Sequence, residues 1–346
     1  MSNLKKIGAL FLSSALLVST LVGCGGNTAS GESGAGEEAS GAHTISIVFK
    51  TTSNEYTQYM MAGAEAASEK YGVTLDMKGA TLDMKGATSE TAYDEQQNMI
   101  ETDLNSGKYD AMIIAPLQGD MVSTLVSGTD MPIFAIDTDF EAAEKVSFIG
   151  IGQADAAASG GEAAVAAAKA AGWTDIKAAY IAGVQGDSTA EARKTGFQEG
   201  IEAAGGTFLV DEIQYADAVA DKAANCMEAI MQNHPEGLAI VCCHNDDCAI
   251  AAARAAENNP AYANTIFVGF DGNITAAESI LDGGETITVA QSGYDQGYRA
   301  VETVARYLDG EEVESFVDCG TQVIDKDSAE DYLKELEEQM GGELEF

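Results

Sequence analysis

Residues 265–280 read TIFVGFDGNITAAESI, in which a short apolar run, Thr265 to Phe270, stops at Asp271 and Gly272 and gives way to a helix-like stretch. An apolar run of this length bounded by a turn signal reads as a buried strand. A strand followed at once by a helix is the unit from which parallel sheets are wound. The same order recurs from Thr44 onward. TISIVF (44–49) precedes YTQYMMAGAEAASEKYG (56–72), a helix that Gly72 would cap. YDAMIIAP (109–116), PIFAID (132–137) and VSFIGIG (146–152) are further strands, the last leading into the helix DAAASGGEAAVAAAKAAG (155–172). The alternation restarts at KAAYIAG (177–183). It continues through TFLVDEIQY (207–215) and GLAIVCCHND (237–246), each a strand, to ETITVAQS (285–292) and the helix QGYRAVETVARYLDG (296–310). The expected fold class is α/β, two doubly wound parallel-sheet units in tandem.

At 346 residues the chain is long enough for two domains, and 18 Lys plus Arg against 56 Asp plus Glu make it strongly acidic. Such a surface repels phosphate backbones, which argues against nucleic acid as a partner. The N-terminus departs from this balance. MSNLKK carries early positive charge, and IGALFLSSALLVSTLV (7–22) is an apolar run of signal-peptide length, broken by Ser13, Ser14, Ser19 and Thr20 and too short to span a bilayer. Leu21-Val22-Gly23-Cys24 resembles a bacterial lipobox, which implies a signal peptide over 1–23 and a lipid on Cys24. Residues 24–43, mostly Gly, Ser, Ala and Glu, have nothing to bury and read as a flexible tether.

Four motifs carry a wider resemblance: HNDDCAIAAARA (244–255), VGFDGNITAAESI (268–280), TVAQSGYDQGYRAVE (288–302) and GDSTAEARKTGFQEGI (186–201). In order and spacing they resemble the periplasmic-type sugar-binding proteins of the ribose and galactose class, here in lipoprotein form. The resemblance implies the type I periplasmic binding protein fold, with two lobes joined by a three-segment hinge that closes on a ligand. It places one lobe at 44–150 plus 292–317 and the other at 151–291 plus 318–340. It further implies a monomer without cofactor, held on the outer face of the cytoplasmic membrane, that hands a small sugar or polyol to an ABC permease. A sensory role, signalling to a membrane receptor or histidine kinase, is the alternative.

In open α/β sheets, ligands bind beyond the carboxyl ends of the strands. The residues there are polar: Asn54 and Tyr56 after the first strand, Asp137 after PIFAI, then Asn245, Asp271 and Gln291. Carboxylates and amides suit a hydroxyl-rich ligand, and an aromatic at Tyr56 suits the apolar face of a sugar ring. Each also has a plainer reading, as a turn former or helix cap for Asp137, Asp271 and Asn245, as a solvated polar residue for Gln291, and as packing for Tyr56. Glu191 completes the candidate set. It stands where ribose binders commonly carry arginine, Thr138 stands at a second such position, and Ala218 replaces an aromatic. These departures leave the ligand at "small polyol or sugar-like", and the carboxylates also suit an amino sugar.

No nucleophile elbow, P-loop or H-E-x-x-H motif is present, and His43, His234 and His244 serve no evident nucleophile, so no enzyme activity is expected. Cys242 and Cys243 are adjacent in a strand and point to opposite faces, which argues against a metal site in CCHNDDC; they, Cys226, Cys248 and Cys319 read as small buried hydrophobes. One oddity remains, the heptad TLDMKGA at 74–80, repeated without change at 81–87. Either copy can supply the second strand of the first unit. The surplus copy then loops out before that strand, away from the cleft, or after it, at the cleft rim.

Overall fold

In a computed structural model of the chain, the structure describes residues 43–78 and 87–340. The expected signal peptide, Cys24 and all of the expected tether but His43 lie outside the described residues, as does most of the second heptad. The first region comprises β1 (Thr44–Val48), α1 (Glu55–Tyr71), β2 (Thr74–Lys78), α2 (Tyr93–Ser106), β3 (Ala111–Ile114), α3 (Gly119–Val126), β4 (Ile133–Ile136) and β5 (Lys145–Gly150). It is followed by α4 (Gln153–Ala170), β6 (Lys177–Ala182), α5 (Ser188–Ala203), β7 (Thr207–Phe208), β8 (Gln214–Tyr215), α6 (Ala220–Asn233), β9 (Ile240–Cys243) and α7 (Asp246–Ala256). The chain ends through β10 (Ile266–Asp271), α8 (Ile274–Asp282), β11 (Ile287–Gln291), α9 (Gly293–Leu308), β12 (Phe316–Asp318), β13 (Thr321–Ile324) and α10 (Ala329–Met340).

The strands form two sheets, ordered β12-β5-β4-β3-β1-β2 and β13-β11-β10-β9-β6-β7, with β8 also on β6. Every described pairing is parallel except β11 with β13. Central strands are buried on both faces, as β3 shows along AMII, because helices cover each sheet on two sides. The chain passes between the sheets three times, after Gly150, after Gln291 and after Asp318.

One sequence expectation changes in detail, and one helix lies outside the sequence expectations. TFLVDEIQY is not one strand: β7 and β8 each pair two residues of β6, and the stretch between them bulges into a short 3-10 turn at Val210–Glu212. The helix α3, only eight residues long, offers too little periodicity to be seen from sequence. The duplicated heptad is decided on one side, since the first copy forms β2, in register with β1 from Thr44 opposite Thr74. The second copy therefore follows the strand. Cys242 packs in one core beside Val268 and Phe270 and Cys243 in another beside Cys248 and Phe267, on opposite faces of β9.

Candidate functional site: the cleft between the two sheets

The carboxyl ends of both sheets open onto one cavity of about 40 Å3, room for about three water molecules. Asn54, Tyr56 and Asp137 line it from the first sheet, and Asn245 and Asp271 from the second. The capping reading and the cleft reading hold together for the two asparagines. Asn54 Oδ1 accepts from Thr57 N at 2.8 Å at the start of α1, and Asn245 Oδ1 accepts from Cys248 N at 3.1 Å at the start of α7. Capping fixes each side chain by its oxygen at the cavity wall. The two aspartates are not caps. Asp137 (φ 63°) and Asp271 (φ 115°) both have left-handed backbones, a strain that folded chains retain mainly at functional positions.

Arg193, on α5, organises the second sheet's side. Its guanidinium donates to Gln153 Oε1 at 2.9 Å and to the His244 carbonyl at 2.8 Å, lies 3.2 Å from Asp271 Oδ1, and stacks 3.8 Å over the Phe270 ring. Gln291 does not line the cavity but donates to Asp271 Oδ1 at 2.9 Å, and so aims that carboxylate. Burial pushes the Asp271 carboxyl up to about 7, with Arg193 opposing the rise. Burial and the nearby Arg193 charge push His244 down to about 3, so its ring is neutral. Two buried groups on the wall, the Tyr56 hydroxyl and His244 Nδ1, have no hydrogen-bond partner among the described residues.

Several contacts among the described residues bridge the two sides. Lys50, just past β1, donates to Asp187 Oδ2 at 3.0 Å, and both side chains are nearly buried. Thr138 and Thr189 share a hydroxyl bond of 2.8 Å. Glu55 accepts from Ile274 N and the Thr275 hydroxyl, each at 2.7 Å, at the start of α8. Burial alone would raise Asp187, but Lys50 and the Ala190 N–H hold its carboxyl below the usual range. A depressed carboxyl contributes stability that is complete above the unfolded value near ~4 and fades as pH falls through the folded value. Lys50→Ala is expected to cost about 1–2 kcal/mol in chemical denaturation. That is less than for a fully orphaned buried charge, because Asp187 keeps its 2.8 Å cap bond to Ala190. An unchanged midpoint above pH 5 would contradict this.

Glu191 is not brought to the cavity; its carboxylate pairs with Lys194 along α5. The helical repeat explains why. Thr189 and Arg193, four apart, share the face that lines the cavity, and position 191 lies on the other side. Residues the sequence reading missed are Lys50, Glu90, Thr189, Arg193 and His244. Arg193 and Thr189 could have been found from that i, i+4 spacing. Glu90, whose carboxyl burial raises, lines the cavity three residues after the second heptad ends in the sequence.

Residues 45–312 match the periplasmic binding protein domain family. The ribose import binding protein RbsB of Escherichia coli (strain K12) is 28% identical over 280 residues, covering 79% of this chain and 87% of that protein. The ribose import binding protein of Bacillus subtilis (strain 168) is 28% identical over 277 residues, covering 79% and 84%. Among solved structures, a carbohydrate transporter solute binding protein from Agrobacterium radiobacter, in complex with D-arabinose, superposes with a TM-score of 0.76 at 25% identity, covering 86% of this chain and 99% of that one.

Proposed function

The chain belongs to the periplasmic binding protein domain family, and from that premise we propose that it captures a small sugar or polyol in the cleft and delivers it to an ABC importer. The observation that carries this reading is the convergence, on one cavity, of polar strand-end residues from both sheets, two of them aspartates with strained backbones. Asp137 and Asp271 would accept from ligand hydroxyls, Asn54 and Asn245 would offer amide groups, Tyr56 would pack on a ring face, and Gln291 would hold Asp271 in place. The relatives bind or import sugars by their names, ribose and arabinose among them. In this reading the ligand enters when the two sides part and is held when they close again about the three crossings.

Thermal denaturation in the presence of pentoses, hexoses, polyols and amino sugars tests the reading. The true ligand raises the melting temperature, since it binds the folded state alone, by about 2.7 kcal/mol of stabilisation at 100 times its Kd. If no member of the panel moves the transition, the reading fails.

The reading extends to the leader. Residues 1–23 are removed, Cys24 takes the lipid, residues 24–43 span the distance from membrane to cleft, and the body consists of the two lobes given above. Two acyl chains suffice for stable anchoring. Cys24→Ser is expected to move the protein from the membrane to the soluble fraction on cell fractionation; a variant that stays with the membrane would remove the anchor from the proposal.

A further inference from the structure

Behind Asp271, away from the cavity, two carboxyl groups face each other inside the protein. Asp246 is 0% exposed and Glu285 1%. A Cβ placed on Gly269 would stand 2.0 Å from Glu285 Oε1 and 2.4 Å from Asp246 Oδ1, so the two oxygens flank one point beside that strand. Asp246 is rich in donors. Its Oδ1 accepts from the Thr288 hydroxyl at 2.6 Å, and its Oδ2 accepts from Gly272 N at 2.9 Å and Asn273 N at 2.8 Å. No donor meets either Glu285 oxygen in good hydrogen-bond geometry among the described residues, and the Gly269 N–H beside it favours its ionised form only weakly against burial. The other titratable groups around the pair are Cys243 from β9, Asp271 from β10 and Tyr332 from α10, none of which supplies positive charge. Arg193, whose charge acts on Asp271, is engaged with that residue.

Two carboxylates cannot both ionise in such a place, and the one with three donors is the one that keeps the charge. We propose that Glu285 is held as a neutral acid that donates its proton to Asp246, and that this bond positions the Asp271–Asn273 turn that presents Asp271 to the ligand. Glu285 is thus a positioning residue, acting through Asp246 on the two N–H groups that follow Asp271. Burial raises both carboxyls well above their ordinary values; the bond between them raises Glu285 further and lowers Asp246, in agreement with this assignment. The link to the ligand rests on the sugar-binding reading; the proton itself does not.

The sign follows from linkage. A carboxyl raised in the folded state binds a proton that the unfolded chain has lost, so stability falls as pH rises from the unfolded value near ~4.3 toward the folded one, about tenfold in the folding constant per pH unit. Glutamine donates in the same place without titrating. The folding constant of the full chain, measured by urea denaturation between pH 5 and 8, is therefore expected to fall relative to that of Glu285→Gln by up to about tenfold per unit. The infrared difference spectrum at pH 7, wild type minus variant, is expected to carry the C=O stretch of a neutral carboxylic acid. Parallel pH curves, or the absence of that band, would overturn the proton assignment. For the sugar giving the largest thermal shift, Glu285→Gln is expected to bind within twofold of wild type and Glu285→Ala about tenfold more weakly. Equal binding by Glu285→Ala would overturn the positioning role. Diverging pH curves in a protein that binds no sugar would leave the proton in place and sink the sugar reading alone.

Discussion

Asp271→Ala is expected to weaken sugar binding by about 3 kcal/mol, more than 100-fold, in titration calorimetry. The magnitude is that of removing one member of a buried, charge-assisted hydrogen-bond set, which leaves its partners exposed to a half-satisfied site. Asp271 is the meeting point of Arg193 at 3.2 Å and Gln291 at 2.9 Å, and its backbone is held at φ 115°. Asp271→Asn, which keeps one acceptor, should lose less. The pH dependence has a definite sign. With the carboxyl raised to about 7 by burial, the free protein carries both forms near neutrality, and the ionised one, with two charged acceptor oxygens, binds ligand hydroxyls more strongly. Affinity should therefore rise as pH increases through 7, and the rise should be missing in Asp271→Asn. Wild-type affinity in Asp271→Ala would remove this residue from the site.

Gly297→Ala is expected to cost upwards of about 3 kcal/mol, or to prevent folding, because the added carbon has no space to occupy. A Cβ there would stand 1.8 Å from the Met60 carbonyl oxygen, and one on Gly63 would stand 1.9 Å from that of Tyr294. The helices α1 and α9 thus cross backbone against backbone, with a glycine on each, and a backbone oxygen cannot turn aside as a side chain can. Gly196 and Gly200 on α5 make the same approach to Ala154 and Ala158 on α4. The α1 crossing also serves the cleft, since α1 begins at the Asn54 cap, carries Tyr56, and has Gly293 against the Tyr56 ring. Chemical denaturation gives the cost directly; a loss below about 1 kcal/mol would show that the helices can separate without penalty.

The strand-end rule found the cleft from sequence because in a parallel sheet every strand that enters from one side releases its next residues on the other. Asn54, Asp137, Asn245 and Asp271 follow or end their strands, and all four line the cavity. Glu191 lies outside the rule: its candidacy comes from the resemblance to arginine-bearing ribose binders, and its helical phase turns it to Lys194 instead. Lys50, one residue past the TISIVF strand, is absent from the candidate set, although it lines the cavity and pairs with Asp187.

The sequence by itself determined the α/β class, the two parallel-dominated sheets, the strand ends that line the cavity between them, and the opposite facing of Cys242 and Cys243. These depend on local periodicity and on the direction of successive strands. Only the tertiary structure decided which groups meet. Lys50 and Asp187, 137 positions apart, pair because the chain crosses between the sheets, and Glu285 reaches Asp246 because β10 and β11 lie side by side with a glycine between the two acids. Such pairings depend on distances between elements, and burial then sets the charge each group can carry. The duplicated heptad divides in the same way: its identity is plain in the sequence, but only the register with β1 assigns the strand to the first copy.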